Sequence, residues 1–106
     1  GRVNFEWYFN QSTYEVLEEI NYQIHIKNLQ KPVKLDCHWF YHPSLTYHIQ
    51  QKYRGIIELS PYHKDTNPES EAIFYYSEPN EESLLNSNYE KLKEFNGTSS
   101  ILWIRK

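Results

Sequence analysis

The stretch VKLDCHWFYHPSLTYHIQQKYRG (Val33–Gly55) contains the change of hydrophobic period that decides the fold. Apolar and polar residues alternate over most of its first nine positions, as in a strand with one buried face. Pro43 and Ser44 then mark a helix start with Ser44 as the N-cap, and a glycine stands just past the predicted end. The segment therefore predicts a strand followed by a helix near 44–54. The inward stripe of that helix is Leu45, Ile49 and Tyr53.

The predicted strand carries aromatic rings on its inward face. Its inward positions are Val33, Leu35, Cys37, Trp39 and Tyr41. Aromatic residues make up 17% of the chain and must supply much of the buried area, so Trp39 and Tyr41 are expected in the core. On that basis Trp39→Ala is expected to destabilise the domain by about 3–5 kcal/mol.

The N-terminal third of the chain has two competing periods. The segment VNFEWYFN (Val3–Asn10) is rich in strand-favouring aromatic residues and predicts a first strand. The apolar residues of Tyr14–Ile26 fit both strict alternation and a helical stripe. We expect a helix here that passes into a strand, INYQIHI (Ile20–Ile26).

Three strands and a second helix are predicted downstream. The strands are GIIELS (55–60), EAIFYYSE (71–78) and SSILWIRK (99–106), and the helix spans residues 81–95. Asn80 is its candidate cap, and its inward face is Leu85, Tyr89 or Leu92, and Phe95.

This order of elements predicts an α+β fold with a mixed or antiparallel, curved sheet of five to seven strands and two helices. Two architectures fit it. One is a half-barrel sheet wrapped around the helix that starts at Ser44, and the other is a ferredoxin-like βαββαβ sandwich with an N-terminal strand extension.

Length and composition indicate a single domain over residues 1–106. The sequence contains no Met, so we expect it to be an excised part of a longer protein. The net charge of −3 lacks the basic field that phosphate backbones or anionic membranes attract, so neither nucleic acid nor a membrane is an expected partner. The single cysteine favours a reducing, intracellular compartment, cytoplasmic or nuclear, and the two glycosylation-type sequons are interpreted as chance matches.

The sequence predicts neither an enzyme nor a metal site nor a cofactor. Cys37 and His38 are adjacent, so they point to opposite faces of a strand and cannot easily share a metal or form a nucleophilic pair. Paired glutamates lie in loops or first helical turns, where solvation or the helix dipole explains them. No glycine-rich phosphate loop is present, because the sequence has three glycines.

Four segments together resemble the WWE family, which is named for two tryptophans and a glutamate. They are FEWYF with Glu6 and Trp7, HWFYHP with Trp39, IQQKYR on the following helix, and EFNGTSSILWIRK at the end. The resemblance implies a half-barrel that recognises ADP-ribose units, and it gives ligand-binding counterparts at Tyr41, Tyr53 and Arg105. The chain departs from the family in its long first connection, in the inserted segment PNEESLLNSNYE, and in Glu94 where a glutamine is expected.

Three functions are therefore open at the level of sequence. The first is a non-catalytic binding module for an ADP-ribose-type nucleotide, stacked on Tyr41 or Tyr53 and clamped by Arg105. The second is a protein–protein interaction domain that uses exposed aromatic residues. The third is a ferredoxin-like RNA-binding domain that stacks bases on sheet aromatics.

Overall fold

The computed structural model describes the backbone of residues 2–65 and 67–106, with the side chains of those residues other than 2–12, 83 and 98. The elements are α1 (Arg2–Lys27), β1 (Val33–Cys37), α2 (His42–His48), β2 (Ile57–Leu59), β3 (Phe74–Ser77), α3 (Glu82–Leu85), β4 (Tyr89–Phe95) and β5 (Ser100–Arg105). Four short turns join them: 3₁₀ turns at Trp39–Tyr41, Pro79–Glu81 and Asn96–Thr98, and one π-helical turn at Ile49–Tyr53.

The five described strands form one mixed sheet in the order β2-β1-β3-β5-β4. β1 runs parallel to β2 and β3, whereas β5 runs antiparallel to β3 and β4. This confirms the predicted α+β class with a mixed sheet. Neither the half-barrel nor the ferredoxin-like arrangement is confirmed by this strand order.

The N-terminal strands predicted at Val3–Asn10 and Ile20–Ile26 are both wrong, because one 26-residue helix spans them. No proline or glycine interrupts residues 2–31, so the backbone has no reason to leave the helix. The inward stripe of α1 is the helical one: Val16, Leu17, Ile20 and Ile24 are buried. Packing of this stripe on the sheet outweighs the intrinsic strand preference of the aromatic residues upstream.

The end of α1 has the Schellman hydrogen-bond pattern. Asn28 adopts a left-handed φ of 53°, which asparagine tolerates better than most residues. The Leu29 amide donates to the Ile24 carbonyl at 3.0 Å, and the Asn28 amide donates to the His25 carbonyl at 3.4 Å. This cap reverses the chain direction within a few residues and leads it into β1.

The helix predicted near 44–54 is confirmed as α2 followed by the π-helical turn. Gly55 lies just past its end with a φ of +79°, as expected for a residue that terminates a helix. Ser44 is not the N-cap, because α2 already starts at His42, with a proline in its first turn. The Ser44 side chain is buried and its hydroxyl lies 2.7 Å from that of Thr13, which ties α2 to α1.

The strand predicted at 33–41 is shorter than expected, and Trp39 is not a core residue. β1 ends at Cys37, and the next residues form a 3₁₀ turn. Tyr41 is buried as predicted, but Trp39 lies outside with 40% of its surface exposed. A turn advances side chains by about 120° per residue rather than 180°, so the strand alternation does not carry past Cys37.

The helix predicted at 81–95 is wrong over most of its length. It begins with Pro79–Glu81 and α3, but α3 ends at Leu85 and the chain continues as β4. The helix-like spacing of apolar residues arises from an irregularity in β4, where the register shifts between Lys91 and Lys93. A β-bulge at this place breaks the two-residue period of the strand.

The bulge moves β4 side chains from one face of the sheet to the other. Tyr89 and Phe95 are six residues apart and would share a face of a regular strand. Instead, Tyr89 packs with Trp103 on one face, whereas Phe95 packs with Tyr76 on the opposite face. Both ends of β4 are thereby buried, each in a different half of the core.

The core is accordingly divided between two faces of the sheet. On the helix-covered face, α1 and α2 pack on residues that include Leu35, Phe74 and Leu102. On the opposite face a smaller cluster surrounds a buried tryptophan; its members are Tyr75, Leu85, Tyr89, Ile101 and Trp103. We call the second face the loop-covered face, because the connection between β2 and β3 (residues 60–73) hydrogen-bonds to it.

The helical assignment of α1 can be tested at two neighbouring positions. In a strand, Ile20 and Tyr22 would face the same side; in α1, Ile20 is fully buried and Tyr22 is 57% exposed. We expect Ile20→Ala to lower the free energy of unfolding by about 2–5 kcal/mol, because it leaves a core cavity. Tyr22→Ala should change it by less than about 0.5 kcal/mol. Urea denaturation of both variants measures this, and equal losses would contradict the helix.

Candidate functional site

Three aromatic side chains are exposed together where the parallel strands end. Trp39, Phe40 and Tyr62 have 40%, 43% and 50% of their surface exposed, and the Lys64 ammonium lies 5.5 Å from the centre of the Trp39 ring. We call these four residues the aromatic rim. They lie beyond the carboxyl ends of β1 and β2, which is where ligands approach open sheets with parallel strands.

His38 shapes the turn that carries the first two rim residues. Its main-chain amide continues the sheet by donating to the Tyr76 carbonyl at 2.9 Å. Its ring Nδ1 accepts a hydrogen bond from the Phe40 amide at 3.1 Å, and its carbonyl accepts one from the Tyr41 amide. The turn directs Trp39 and Phe40 outward, and it directs Tyr41 inward onto the Tyr76 ring, with 4.5 Å between ring centres.

His42 positions the loop side of the rim. Its ring meets the Tyr62 ring edge-on, with 5.5 Å between centres and an interplanar angle of 90°. Its Nε2 lies 2.8 Å from the Ser60 carbonyl oxygen and therefore donates to it. The first residue of α2 thus fixes the residues that follow β2. Both histidines of the HWFYHP segment therefore make hydrogen bonds that shape the rim, rather than simply lying on the surface.

A buried carboxylate lies beneath the loop. Asp36 is 1% exposed, and its two oxygens both lie 2.9 Å from Nε2 of His63. Burial lowers the pKa of His63, but the hydrogen bond and charge of Asp36, together with the main chain of Asp65, raise it above the usual imidazole value. The geometry therefore stabilises the protonated form of His63 relative to a free imidazole.

The three residues expected to bind a ligand lie in three different environments. Tyr41 is buried against Tyr76, and burial raises its pKa. Tyr53 is 4% exposed at the end of the π-helical turn, and burial raises its pKa as well. Arg105 lies on the loop-covered face at the end of β5.

The Arg105 guanidinium is already used within the chain. Its Nε donates to the Ala72 carbonyl at 3.1 Å, and its Nη2 donates to the Tyr89 hydroxyl at 2.9 Å and, more weakly, to the Glu69 carbonyl at 3.4 Å. It also lies over the Tyr89 ring, 5.0 Å from its centre. Arg105 therefore holds the loop, and it would have to give up some of these bonds to bind a phosphate.

Tyr53 does border an open groove between α1 and the π-helical turn. The groove has a volume of about 420 Å³ and is lined by Glu18, Asn21, Tyr22, His25, Lys52, Tyr53 and Ile56. The Lys52 ammonium donates to the Tyr14 hydroxyl at 2.9 Å at this site. Its lining mixes one glutamate, one lysine, one histidine and two tyrosine rings, so it suits a polar ligand better than an apolar one.

The other sequence predictions concern metals, thiols and membranes. No group of three His, Cys, Asp or Glu side chains that could hold a metal is found within the described residues. Cys37 is 2% exposed and burial raises its pKa, so its thiol is neutral and shielded from reactants. Among the helices of the described chain, none is both long and apolar enough to cross a membrane.

The comparisons with known proteins give no relative. No protein-family model, curated protein or solved structure matches the chain. The resemblance to the WWE family is therefore neither supported nor contradicted by a match.

The exposure of Trp39 can be tested against that of a buried tryptophan. Trp103 is 1% exposed and its indole nitrogen donates to the Ser77 hydroxyl at 2.8 Å. We expect Trp103→Ala to lower the free energy of unfolding by about 3–5 kcal/mol. Trp39→Ala should lower it by less than about 1 kcal/mol, because Trp39 leaves no core cavity. Thermal or urea unfolding of both variants checks this; a comparable loss at Trp39 would place that ring in the core.

Proposed function

We propose that this chain is a non-catalytic module that binds another protein through the aromatic rim. The single observation that supports this is the exposure of Trp39, Phe40 and Tyr62 just beyond the carboxyl ends of β1 and β2. Tyr and Trp are the residue types that most often dominate binding energy at interfaces. Exposing three large rings together costs hydration free energy that a partner surface would recover.

The non-catalytic part of the proposal rests on what the reactive side chains do. His38, His42 and His63 each have a ring nitrogen bonded to a group that shapes the turn or the loop. The Cys37 thiol is buried and neutral. These groups support the rim, and none of them is presented as a nucleophile or base to an approaching substrate.

The rim also indicates the chemistry of the partner. Lys64 is the cation beside the Trp39 ring, and among the described carboxylates none lies within ion-pair distance of it. A partner segment that places an apolar or aromatic side chain on Trp39 and a carboxylate next to Lys64 would satisfy both features. The proposed partner is therefore a protein segment with an apolar residue flanked by an acidic one.

A library of random peptides displayed on phage tests this proposal directly. Peptides are selected on the wild-type chain and counter-selected on the Trp39→Ala, Tyr62→Ala double variant. We expect an enriched motif with an apolar residue and an Asp or Glu. Each single rim substitution should weaken the selected peptide by about 30-fold, which corresponds to about 2 kcal/mol at an interface hot spot.

Tyr47→Ala is the matched control, because Tyr47 is 57% exposed but contacts His48 on α2 rather than the rim. It should leave the affinity unchanged. Lys64→Ala should reduce the preference for acidic peptides, and Lys64→Arg should keep it. If no motif is enriched, or if Tyr47→Ala weakens binding as much as Trp39→Ala, the rim is not the binding surface.

A second candidate function is favoured by the groove beside Tyr53. Its size and its mixture of Tyr22, Lys52 and His25 fit a polar ligand with a planar ring and negative charge, such as the ADP-ribose units that the WWE resemblance implies. A WWE-like module would be this second candidate. The sequence-based role of Arg105 as phosphate clamp would require it to exchange its bonds to Ala72 and Tyr89 for bonds to the ligand.

Titration calorimetry with ADP-ribose and iso-ADP-ribose distinguishes this candidate from the first. If the groove is the site, saturable 1:1 binding should be weakened by Lys52→Ala by about 1.5–3 kcal/mol, the range for a hydrogen bond to a charged group. Trp39→Ala should not affect it. The absence of heat at millimolar nucleotide would remove this candidate.

Affinity for RNA that falls steeply as salt rises would instead support the nucleic-acid reading.

A further inference from the structure

The connection between β2 and β3 is held in two different ways along its length. Its last residues are bonded to three strands: the Ile73 amide donates to the Lys34 carbonyl, and the Ala72 carbonyl accepts from Tyr89 and Arg105. Its first residues carry half of the aromatic rim. There the Ser60 amide donates to the Leu35 carbonyl, and among the described side chains it is His63 that bonds to the sheet.

The anchor for His63 is preorganised by the main chain. Asp36 Oδ1 accepts a hydrogen bond from the Cys37 amide, and Oδ2 accepts one from the Glu69 amide, each at 2.8 Å. The carboxylate is thus fixed from both sides, and its remaining capacity faces His63. Because Asp36 is nearly inaccessible to water, losing the third partner would leave a buried charge less compensated.

His63 stands between two rim residues in the sequence. Tyr62 packs on the ring of His42, and Lys64 lies near the ring of Trp39, whereas His63 reaches inward to Asp36. The inward hydrogen bond of one residue therefore sets the position of both of its neighbours. His42 also contacts Tyr62 and Ser60, and the bond from His63 adds the attachment to the sheet of the chain between Tyr62 and Lys64.

We propose that the bond between His63 and Asp36 is a proton-dependent latch that holds Tyr62 and Lys64 in the aromatic rim. With the ring protonated, a charge-assisted bond attaches the loop to β1. When the ring loses its proton to solvent, the ion pair is lost, the single N–H that remains can make only a weaker bond without charge assistance, and the loop segment around His63 loosens. That the latch regulates binding rests on the proposed function, but the latch itself does not.

Other ionisable groups face this pair from several elements. They are Asp65 and Glu69 from the loop, Tyr75 from β3, Tyr89 from β4 and Arg105 from β5. Burial raises the pKa of both tyrosines, so they stay neutral near physiological pH. An arginine keeps its charge throughout this range. The imidazole of His63 is thus the member of this group that titrates near neutrality.

The direction of the pH effect follows from the raised pKa of His63. The latch is complete below the ordinary imidazole pKa of about 6.5 and weakens as pH rises through the raised value. The ring of His42 also borders the rim, so the effect must be assigned with a variant of His63.

Nuclear magnetic resonance of the whole chain, without any partner, tests the latch between about pH 6 and about pH 9, on either side of an imidazole pKa near 6.5. At the lower pH, backbone order parameters of Tyr62–Asp65 should be near the rigid value of about 0.85, and at the higher pH they should fall below about 0.6. Cross-peaks between Lys64 and the Trp39 ring should disappear over the same range. The midpoint should coincide with the titration of His63.

Three variants make the test specific. His63→Gln should give low order parameters at both pH values, whereas His63→Arg, a permanent cation that can bond to Asp36, should give high ones at both. His25→Gln removes an exposed histidine on α1 and should behave as the wild type. Order parameters that do not change with pH, or a His63→Gln variant that matches the wild type, would overturn the latch.

The proposed function is tested separately, by measuring the affinity of a peptide selected on the rim. If the latch opens and the peptide affinity falls with it, both proposals are supported. If order parameters change but no peptide is ever selected, the latch stands and the proposed function fails. If the peptide binds equally with the latch open, regulation of binding is overturned.

Discussion

The carboxylate of Asp36 is the constraint on which the loop-covered face depends. Moving a charged group out of water costs several kcal/mol unless hydrogen bonds replace its hydration. Here the donors come from three separate parts of the chain: the next residue of β1, Glu69 near the end of the β2–β3 connection, and His63 near its beginning. Because the loop supplies two of these donors, its backbone conformation is restricted. The positions of Tyr62 and Lys64 follow from that conformation.

The predictions were correct for segments in which the hydrophobic period and the residues that end an element indicate the same structure. Val33–Cys37 alternates, Gly55 terminates a helix with a positive φ, and the apolar run near the C-terminus forms β5. Local pattern was enough there, because each segment shows one period and has a marked end. The α+β class could be predicted from the order of these segments alone, whereas the choice between a mixed and an antiparallel sheet was left open.

The segments that were mispredicted each offered two periods. In α1 the helical stripe of Val16 and Ile20 coexists with alternation, and only burial against the sheet decides between them. In β4 the three-residue spacing of Leu92 and Phe95 fits a helix, and both pack on the helix-covered face because the register shifts between Lys91 and Lys93. Bulges depend on pairing with a partner strand, so a single segment carries no clear sign of them.

The candidate site was half visible in the sequence. The crowding of aromatic and histidine residues after Cys37 marked the segment that carries Trp39 and Phe40 of the proposed rim, although the end of β1 turned Trp39 outward rather than inward. The pair of Asp36 and His63 was missed because 27 residues separate its members. A signal did exist: an acidic residue in the middle of a strand that is bordered on both sides needs a buried partner. Sequence alone gives no means of choosing that partner among several distant candidates.

The bulge in β4 has a further consequence for how the molecule meets other chains. β4 is one edge of the sheet, and its outward residues between Tyr89 and Phe95 are mainly charged; β2, the other edge, is three residues long. A strand from another chain would meet a bulged edge with lysine side chains at β4 and only a very short edge at β2. Fibril-like stacking through hydrogen-bonded edges is therefore disfavoured.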